Sequence, residues 1–507
     1  MNGDLSAVRE VWSRRSRART GSDLLYLLYL VVLSVLVLGV PALRAAGSLL
    51  ARPDVLPALQ HPLAPQITGL LALTAAAALV LLGAIRGPAL LAPFFTATLA
   101  ASGIRRRTVL WRPFVRALLV PTAAMAGAAS LIAVTLMNVG AGWAAAVWFV
   151  LAATGAGLLL GAAWLAGQLL TARPRRLLTG ALLLAAALSA LPPQGTGLGG
   201  AYPVAEAPHA LWALLLLATG IAAVAVGIVL LDQLRGSVLR EQSLRWESVA
   251  TIATSGDLAG AAGTFRTPPS AGRRLRAIGP RPLLLLYARR DAVAWLRSPE
   301  RSAIGVVVAL LAAAALTGST QLTGPLAWGT VLVGAVALWG AGSTLVDGIR
   351  HGVHTLGAPG LFGQSAAAQV LLHALAPALL LTVLAAFGGG GVVLVSSMGP
   401  GALEAVLLPV ALTPVLIAGQ VRNAAKGPMP LRLIAPMPTA QGDASVLAMM
   451  AWQSDALLLA LLSGAVLAGL GPLGPLWLLG GAALLTAAMA LMARSRLRDL
   501  SAGDGRR

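Results

Sequence analysis

Along most of the chain, apolar residues arrive in blocks of about 20, and polar residues fall between the blocks rather than alternating within them. Neither the period-2 pattern of a half-buried strand nor the narrow stripe of a soluble amphipathic helix is sustained. A block of that length coiled as an α-helix matches the hydrocarbon thickness of a bilayer, and a helix satisfies its own backbone polar groups in lipid. The pattern therefore predicts an all-α polytopic membrane protein of about 12 transmembrane helices. The predicted spans are 22–43, 66–86, 115–137, 142–169, 176–192, 210–232, 301–320, 325–346, 364–387, 402–421, 447–470 and 473–493.

The longest polar segment, 233–300, separates six predicted spans from six. Its first part, "LDQLRGSVLREQSLRWESVATIA", reads as helix, and its later part is broken by Gly and Pro. The expected organisation is a first transmembrane half at 1–232, a cytoplasmic linker at 233–285, and a second half with a short basic tail at 286–507. The stretch "PLLLLYARRDAVAWLRSPERS", 282–302, sets apolar and aromatic residues among Arg289, Arg290, Arg297 and Arg301 just before a span. Residues 5–18 repeat that layout with Val8 and Trp12 among arginines, so each half is expected to open with an interfacial helix. For 5–18 a solvated basic tail is the other reading. Behind it, 22–43 reads as a signal anchor.

Charge changes the picture by its distribution. The chain has 507 residues, 58% hydrophobic and 11% charged, with a formal net charge of +20. In a soluble protein that excess would point to nucleic acid. With the N-terminus inside, the outer loops are 44–65, 138–141, 193–209, 321–324, 388–401 and 471–472, and of the 37 Lys and Arg residues only Arg44 and Arg52 fall there. The positive-inside rule then predicts a multi-pass protein of the plasma membrane with cytoplasmic N- and C-termini. Its cations face anionic headgroups, and no nucleic-acid partner is needed.

Candidate chemistry is sparse. No cysteine is present, which excludes disulfides, thiolate metal sites and a Cys nucleophile. The one lysine, Lys426 in "RNAAKGPMP", lacks the Gly-x-x-x-x-Gly-Lys-Ser/Thr frame that cradles nucleotide phosphates, and no Gly-x-Ser-x-Gly elbow occurs. No catalytic residue and no cofactor are expected in this chain. Asp347, His351 and His354 in "LVDGIRHGVH" have donor types suited to a metal, yet Arg350 intrudes and a span end is an ordinary place for polar residues, so no metal is assigned. Asp455 in "AWQSDALL" is the acid deepest in a predicted span, either on a substrate or proton path or as a hydrogen-bond node between helices. "GLLLG", 157–161, is a helix-packing motif.

The loop after the second span is the richest. In "LAASGIRRRTVLWRPFVRALL", Arg105, Arg106, Arg107, Arg112 and Arg116 crowd between two apolar runs. They serve either as a topology clamp or as part of a short helix presenting Ile104, Val109, Leu110 and Trp111 to a partner. The matching loop of the second half, "DGIRHGVHTLGAPGLFGQ", carries few cations but similar turn and apolar residues. A clamp should repeat its charge, whereas a docking element need repeat only its position and an apolar contact.

This layout resembles the fused, two-half permease subunits of ATP-binding-cassette exporters, type-2 class, common in actinobacteria. The features that carry the resemblance are the leads at 5–18 and 286–301, six spans per half, "LAASGIRRRTVLWRP" after the second span and "LIAPMPTAQGDASVL" before the eleventh. Gly103 stands where the family pattern has proline after Ser102, while Ala435 and Pro436 keep that pattern in the later loop. The resemblance implies a membrane permease that is itself no enzyme and is coupled to two copies of a separate ATPase subunit, which bind ATP and Mg. It implies coupling contacts at Ser102, Ile104, Arg105, Arg106, Arg107 and Trp111 in the first half and at Pro359, Leu361 and Phe362 in the second. The competing classes are an ion-coupled secondary transporter of twelve spans and a membrane scaffold that transports nothing.

Overall fold

The computed structural model describes residues 25–26, 29–30, 32–33, 35–100, 102–189, 197–204, 209–254, 271–272, 274–279, 282–355, 363–396, 398–399, 401–427, 429–430, 433, 435, 437–439, 442–443 and 445–504. The chain forms two compact units, Met1–Ser243 and Leu244–Arg507. The predicted lead at 5–18 and most of 22–34 lie outside the described residues.

In the first unit the long helices are α1 (Val40–Leu50), α2 (Ala64–Ile85), α3 (Arg106–Met137), α4 (Trp143–Leu169), α5 (Ala172–Ser189) and α6 (His209–Leu230). A polar helix follows, α7 (Gly236–Thr254), which begins in this unit and runs across its boundary. The second unit holds α8 (Leu283–Arg297), α9 (Pro299–Gly318), α10 (Gly324–Leu345), the short α11 (Asp347–His354), α12 (Ala366–Ser396), α13 (Ala402–Ala424), α14 (Ser445–Leu470) and α15 (Pro475–Asp504). A small antiparallel hairpin precedes α14, with β1 (Pro438–Thr439) paired to β2 (Gly442–Asp443).

Among the described residues, ten helices are long and apolar enough to cross a membrane. Four lie in the first unit and six in the second. Their surfaces invert the soluble pattern. Leu71, Leu119, Val120, Val333, Leu379 and Leu484 point outward, while the contacts between helices are made largely by Ala and Gly. In lipid, where an exposed leucine costs nothing, helix association depends on close backbone approach instead. The protein is therefore a polytopic helical membrane protein.

The sequence expectation of about 12 spans meets two exceptions. Predicted span 22–43 is described only in part, as α1 and fragments before it. Predicted span 176–192 corresponds to α5, whose 18 residues include Arg173, Arg175 and Arg176, so its described apolar stretch is short. The third predicted span, 115–137, starts nine residues late: α3 begins at Arg106, which draws the arginine cluster into the helix itself.

Five helix pairings recur at corresponding positions of the two units, and the second unit adds close pairings of α9 with α10 and of α13 with α14 that have no comparable counterpart among the described residues of the first. In the first, α1 meets α3, α2 meets both α4 and α5, α3 meets α4, and α4 meets α6. In the second, α9 meets α12, α10 meets both α13 and α14, α12 meets α13, and α13 meets α15. The fourth long helix of each unit is the central one, with 50% of the apolar window of α4 and 56% of that of α13 buried.

These two central helices reach close packing by different means. On α4, Gly155 faces α6, Gly157 and Gly161 face α3, and Gly167 faces α2. A Cβ at Gly155 would sit 2.4 Å from the Leu216 carbonyl carbon, and one at Gly167 would sit 2.0 Å from the Val80 oxygen. The "GLLLG" motif is thus one part of a longer glycine series serving three neighbours. α13 instead carries Pro409 and Pro414 inside the helix. A proline has no N–H, so the carbonyl four residues earlier loses its partner. The Thr317 hydroxyl donates to the Ala405 carbonyl at 3.2 Å, and the Thr413 hydroxyl to the Val410 carbonyl at 2.7 Å. Both freed acceptors are satisfied by threonines that are fully buried.

Candidate functional site

The predicted coupling segment of the first unit lies between α2 and α3. Ser102 is exposed, and its hydroxyl donates to the Leu99 carbonyl at 2.7 Å. Ile104 is half-buried, Arg105 is exposed, and α3 then starts at Arg106. The end of α3 is capped from a distance. The Arg107 amide donates to Asp232 Oδ1 at 2.9 Å, and the Arg107 side chain lies 3.5 Å from Asp232 Oδ2. A carboxylate at this position satisfies an orphan N–H and sits at the positive end of the helix dipole. Arg106 donates to the Leu234 carbonyl. Two arginines of the cluster thus join α3 to the chain just beyond α6.

This geometry corrects the short presented helix expected for Ile104, Val109, Leu110 and Trp111. Leu110 is buried with Phe114, Leu118, Leu231 and Leu234, because the helix is continuous and its 3.6-residue period turns that side chain inward. Trp111 is 41% exposed and keeps the Arg112 guanidinium 5.4 Å from its ring centroid. Of the four apolar residues, Trp111 is the one with a large open face. Pro359, Leu361 and Phe362 of the second predicted segment lie outside the described residues.

Above this segment, a buried amide network ties α7 to the first unit. Gln242 donates to the Gly83 carbonyl at 2.9 Å and the Ala84 carbonyl at 3.1 Å. Its own carbonyl accepts from the Gly87 amide at 3.3 Å and from Gln168 at 3.0 Å. Gln168 in turn bonds the Ala89 amide and carbonyl. The loop leaving α2 is therefore held by two glutamines, one on α4 and one on the polar helix that the sequence assigns to the linker.

In the second unit, Asp347 is engaged by arginines. Arg301 donates to both its oxygens, and Arg350 lies 3.4 Å from Oδ1. His351 and His354 point outward from α11, so the three residues do not converge. Among the described residues, no group of three or more His, Asp or Glu side chains is arranged to hold a metal.

Asp455 is the centre of a charge cluster built by three helices. Arg422 lies in the last turn of α13 and Lys426 in the turn just beyond its end, and both reach the same carboxylate. Arg422 Nη2 donates to Asp455 Oδ2 at 2.7 Å and Lys426 Nζ to Oδ1 at 2.6 Å. From α15, Arg496 Nη2 lies 3.5 Å from Oδ2, and its Nη1 donates to the Arg422 carbonyl at 3.4 Å. Lys426 also donates to the Trp452 carbonyl. The Trp452 ring lies 4.6 Å from the Lys426 ammonium and 5.6 Å from the Arg496 guanidinium. Burial pushes the Lys426 ammonium below its ordinary range, against the pull of Asp455, which favours its charged form. Of the two sequence readings for Asp455, the geometry is that of a node between helices, and an ionic one. The sequence singles out the acid alone; no local pattern joins Arg422, Lys426 or Arg496 to it.

A second buried pair escaped the sequence reading. Asp291 on α8 and His373 on α12 meet at 2.8 Å, with both side chains almost wholly buried. Gly348 at the start of α11 leaves room for them, since a Cβ there would fall 2.2 Å from Asp291 Oδ1. The predicted interfacial lead is thus a helix, α8, locked to the third long helix of its unit, with Leu284, Leu285 and Leu296 on its open side.

No family model matches the chain, and neither a curated protein nor a solved structure matches it.

Proposed function

We propose that this chain is the membrane subunit of an ATP-binding-cassette exporter, coupling ATP hydrolysis on a separate ATPase subunit to movement of a substrate across the plasma membrane. The observation that carries the reading is the recurrence of five helix pairings at corresponding positions in two units of a single chain. Counting α1 with the residues before it and α5 as spans gives six per unit, the 6+6 layout of a fused permease with cytoplasmic termini. Such a duplicated body suits two ATPase copies, each addressed by the segment after the second helix of one unit. In the first unit that segment offers Trp111, Arg105 and Ser102 at the surface. It is anchored to α4 and α7 by Gln168 and Gln242 and to the end of α6 by Asp232, so a push on it would reach three helices. Differential contact in two nucleotide states is what coupling requires.

Three acids at the ends of apolar helices, Asp232, Asp347 and Asp455, are each paired with arginine or lysine. That pairing favours an ATP-driven subunit over an ion-coupled carrier, which needs a carboxylate free to exchange its ion. The test is co-purification with an ATPase encoded beside this chain. Trp111→Ala and Ile104→Ala are expected to weaken ATPase association while insertion and melting stay unchanged. Transport driven by a proton gradient with no ATPase present would overturn the proposal.

A further inference from the structure

The cluster around Asp455 holds more positive charge than its carboxylate can neutralise. Arg422, Lys426 and Arg496 converge on it, and no other acid pairs with them among the described residues. Arg422 is 8% exposed, and its Nε and Nη1 are buried without a hydrogen-bond partner. An unpaired buried donor on a charged group is costly, and a guanidinium presents its donors in a planar fork suited to an oxyanion. Asp455 and Arg496 remain partly open, which leaves a side from which a ligand can enter.

Depth narrows the chemistry. Arg422 lies in the last turn of α13 and Lys426 two residues beyond its end, Arg496 lies four residues before the end of the apolar span Pro475–Leu500, and Trp452 sits among them. Cations and an indole at the ends of apolar helices mark the level of lipid headgroups, where phosphate is abundant. We propose that this cluster is a binding site for a phosphate oxyanion, gripped by Arg422, Lys426 and Arg496 beside Asp455. The oxyanion comes either from an anionic lipid headgroup or from free phosphate in solution. The site does not depend on the exporter reading, and it would serve any membrane protein with this bundle.

The full-length protein, delipidated in detergent, distinguishes the two sources. One arm measures retention of phosphatidylglycerol against phosphatidylcholine by native mass spectrometry; the other follows thermal unfolding against inorganic phosphate. Lys426→Gln and Arg496→Gln are each expected to weaken binding about tenfold, the worth of one charge-assisted hydrogen bond. Arg496→Gln, at the more open position, keeps the test valid where Arg422→Gln fails to fold. Asp455→Asn removes the competing carboxylate; it is expected to melt earlier without anion and to be rescued by the anion that binds. Selective retention of phosphatidylglycerol assigns a headgroup, and stabilisation by inorganic phosphate alone assigns a soluble source. If neither ligand distinguishes the parent protein from the three variants, the cluster is an ion-pair network and the proposal fails.

Discussion

His373 Nδ1 lies 2.8 Å from Asp291 Oδ1 and 3.1 Å from Oδ2, joining α12 to α8 across 82 positions of sequence. The Tyr287 ring stands edge-on to the imidazole at 4.7 Å, and the pair is closed over by the backbone of Gly348. Burial is the main influence on Asp291 and raises its pKa. His373 and Arg290 oppose that shift, and the neighbouring Asp347 adds to it.

A pH dependence follows. Above the raised pKa the folded state carries an ionised, desolvated carboxylate, so this group's contribution to stability is least there. As pH falls through the raised pKa the folded state takes up the proton before the unfolded chain does, and stability from this group rises until the ordinary value of about 3.9 is passed. Melting curves of the parent protein and Asp291→Asn, taken from neutral to acid pH, are expected to show a difference that changes with pH. A constant difference would remove Asp291 as the titrating group.

Glycine on α4 has a test with an internal control. Gly155→Ala drives a methyl to 2.4 Å from the Leu216 backbone, and a loss of about 1–3 kcal/mol is expected as α4 and α6 are forced apart. Gly127 on α3 has nothing within 4 Å of a built Cβ, so Gly127→Ala is expected to gain about 0.5–1 kcal/mol from helix propensity alone. Opposite signs in unfolding by a denaturing detergent support the packing argument; equal effects contradict it.

The threonines that serve the prolines of α13 are expected to act through the carbonyls they satisfy. Thr317→Val keeps the shape but strips the Ala405 carbonyl of its donor, at a cost of about 1–3 kcal/mol. Pro409→Ala restores the missing N–H. In that background the cost of Thr317→Val should shrink, and a double-mutant cycle measures the coupling. Strict additivity would show that the hydroxyl acts elsewhere.

Gln242→Leu leaves Gln168 short of one acceptor and the Gly83 and Gly87 backbone groups short of their partners. The expected loss is about 2–3 kcal/mol. Limited proteolysis provides a second readout, because releasing α7 from the first unit should speed cleavage within α7 itself, at Arg240 or Arg245.

How much was legible varied with the range of the interaction. The ten apolar helices announce themselves because their chemistry repeats over about 20 consecutive residues, and α8 shows as a separate amphipathic stretch before α9. The sequence pattern starts the third span at 115 because arginines read as loop, whereas at a membrane surface they are compatible with a helix whose first turn is capped by Asp232. Leu110 was therefore expected outward and lies inward. Of the Asp455 cluster, the sequence singles out the acid alone; Arg422, Lys426 and Arg496 reach it from two other segments, so no local pattern joins them to it.

The sequence by itself determined the solvent of each segment: block length sets what can cross a bilayer, and the distribution of cations sets the expected orientation. Only the tertiary structure decided which polar groups meet. Asp291 finds His373, Gln242 finds Gln168, the Thr317 hydroxyl finds the carbonyl that Pro409 releases, and three cations close on Asp455. Block hydrophobicity is a property of neighbours in the chain, whereas these pairings depend on helix rotation and depth. In a bundle where most surfaces are Ala, Leu and Gly, composition is nearly the same on every face, and the few polar contacts fix the rotation that the pattern leaves open.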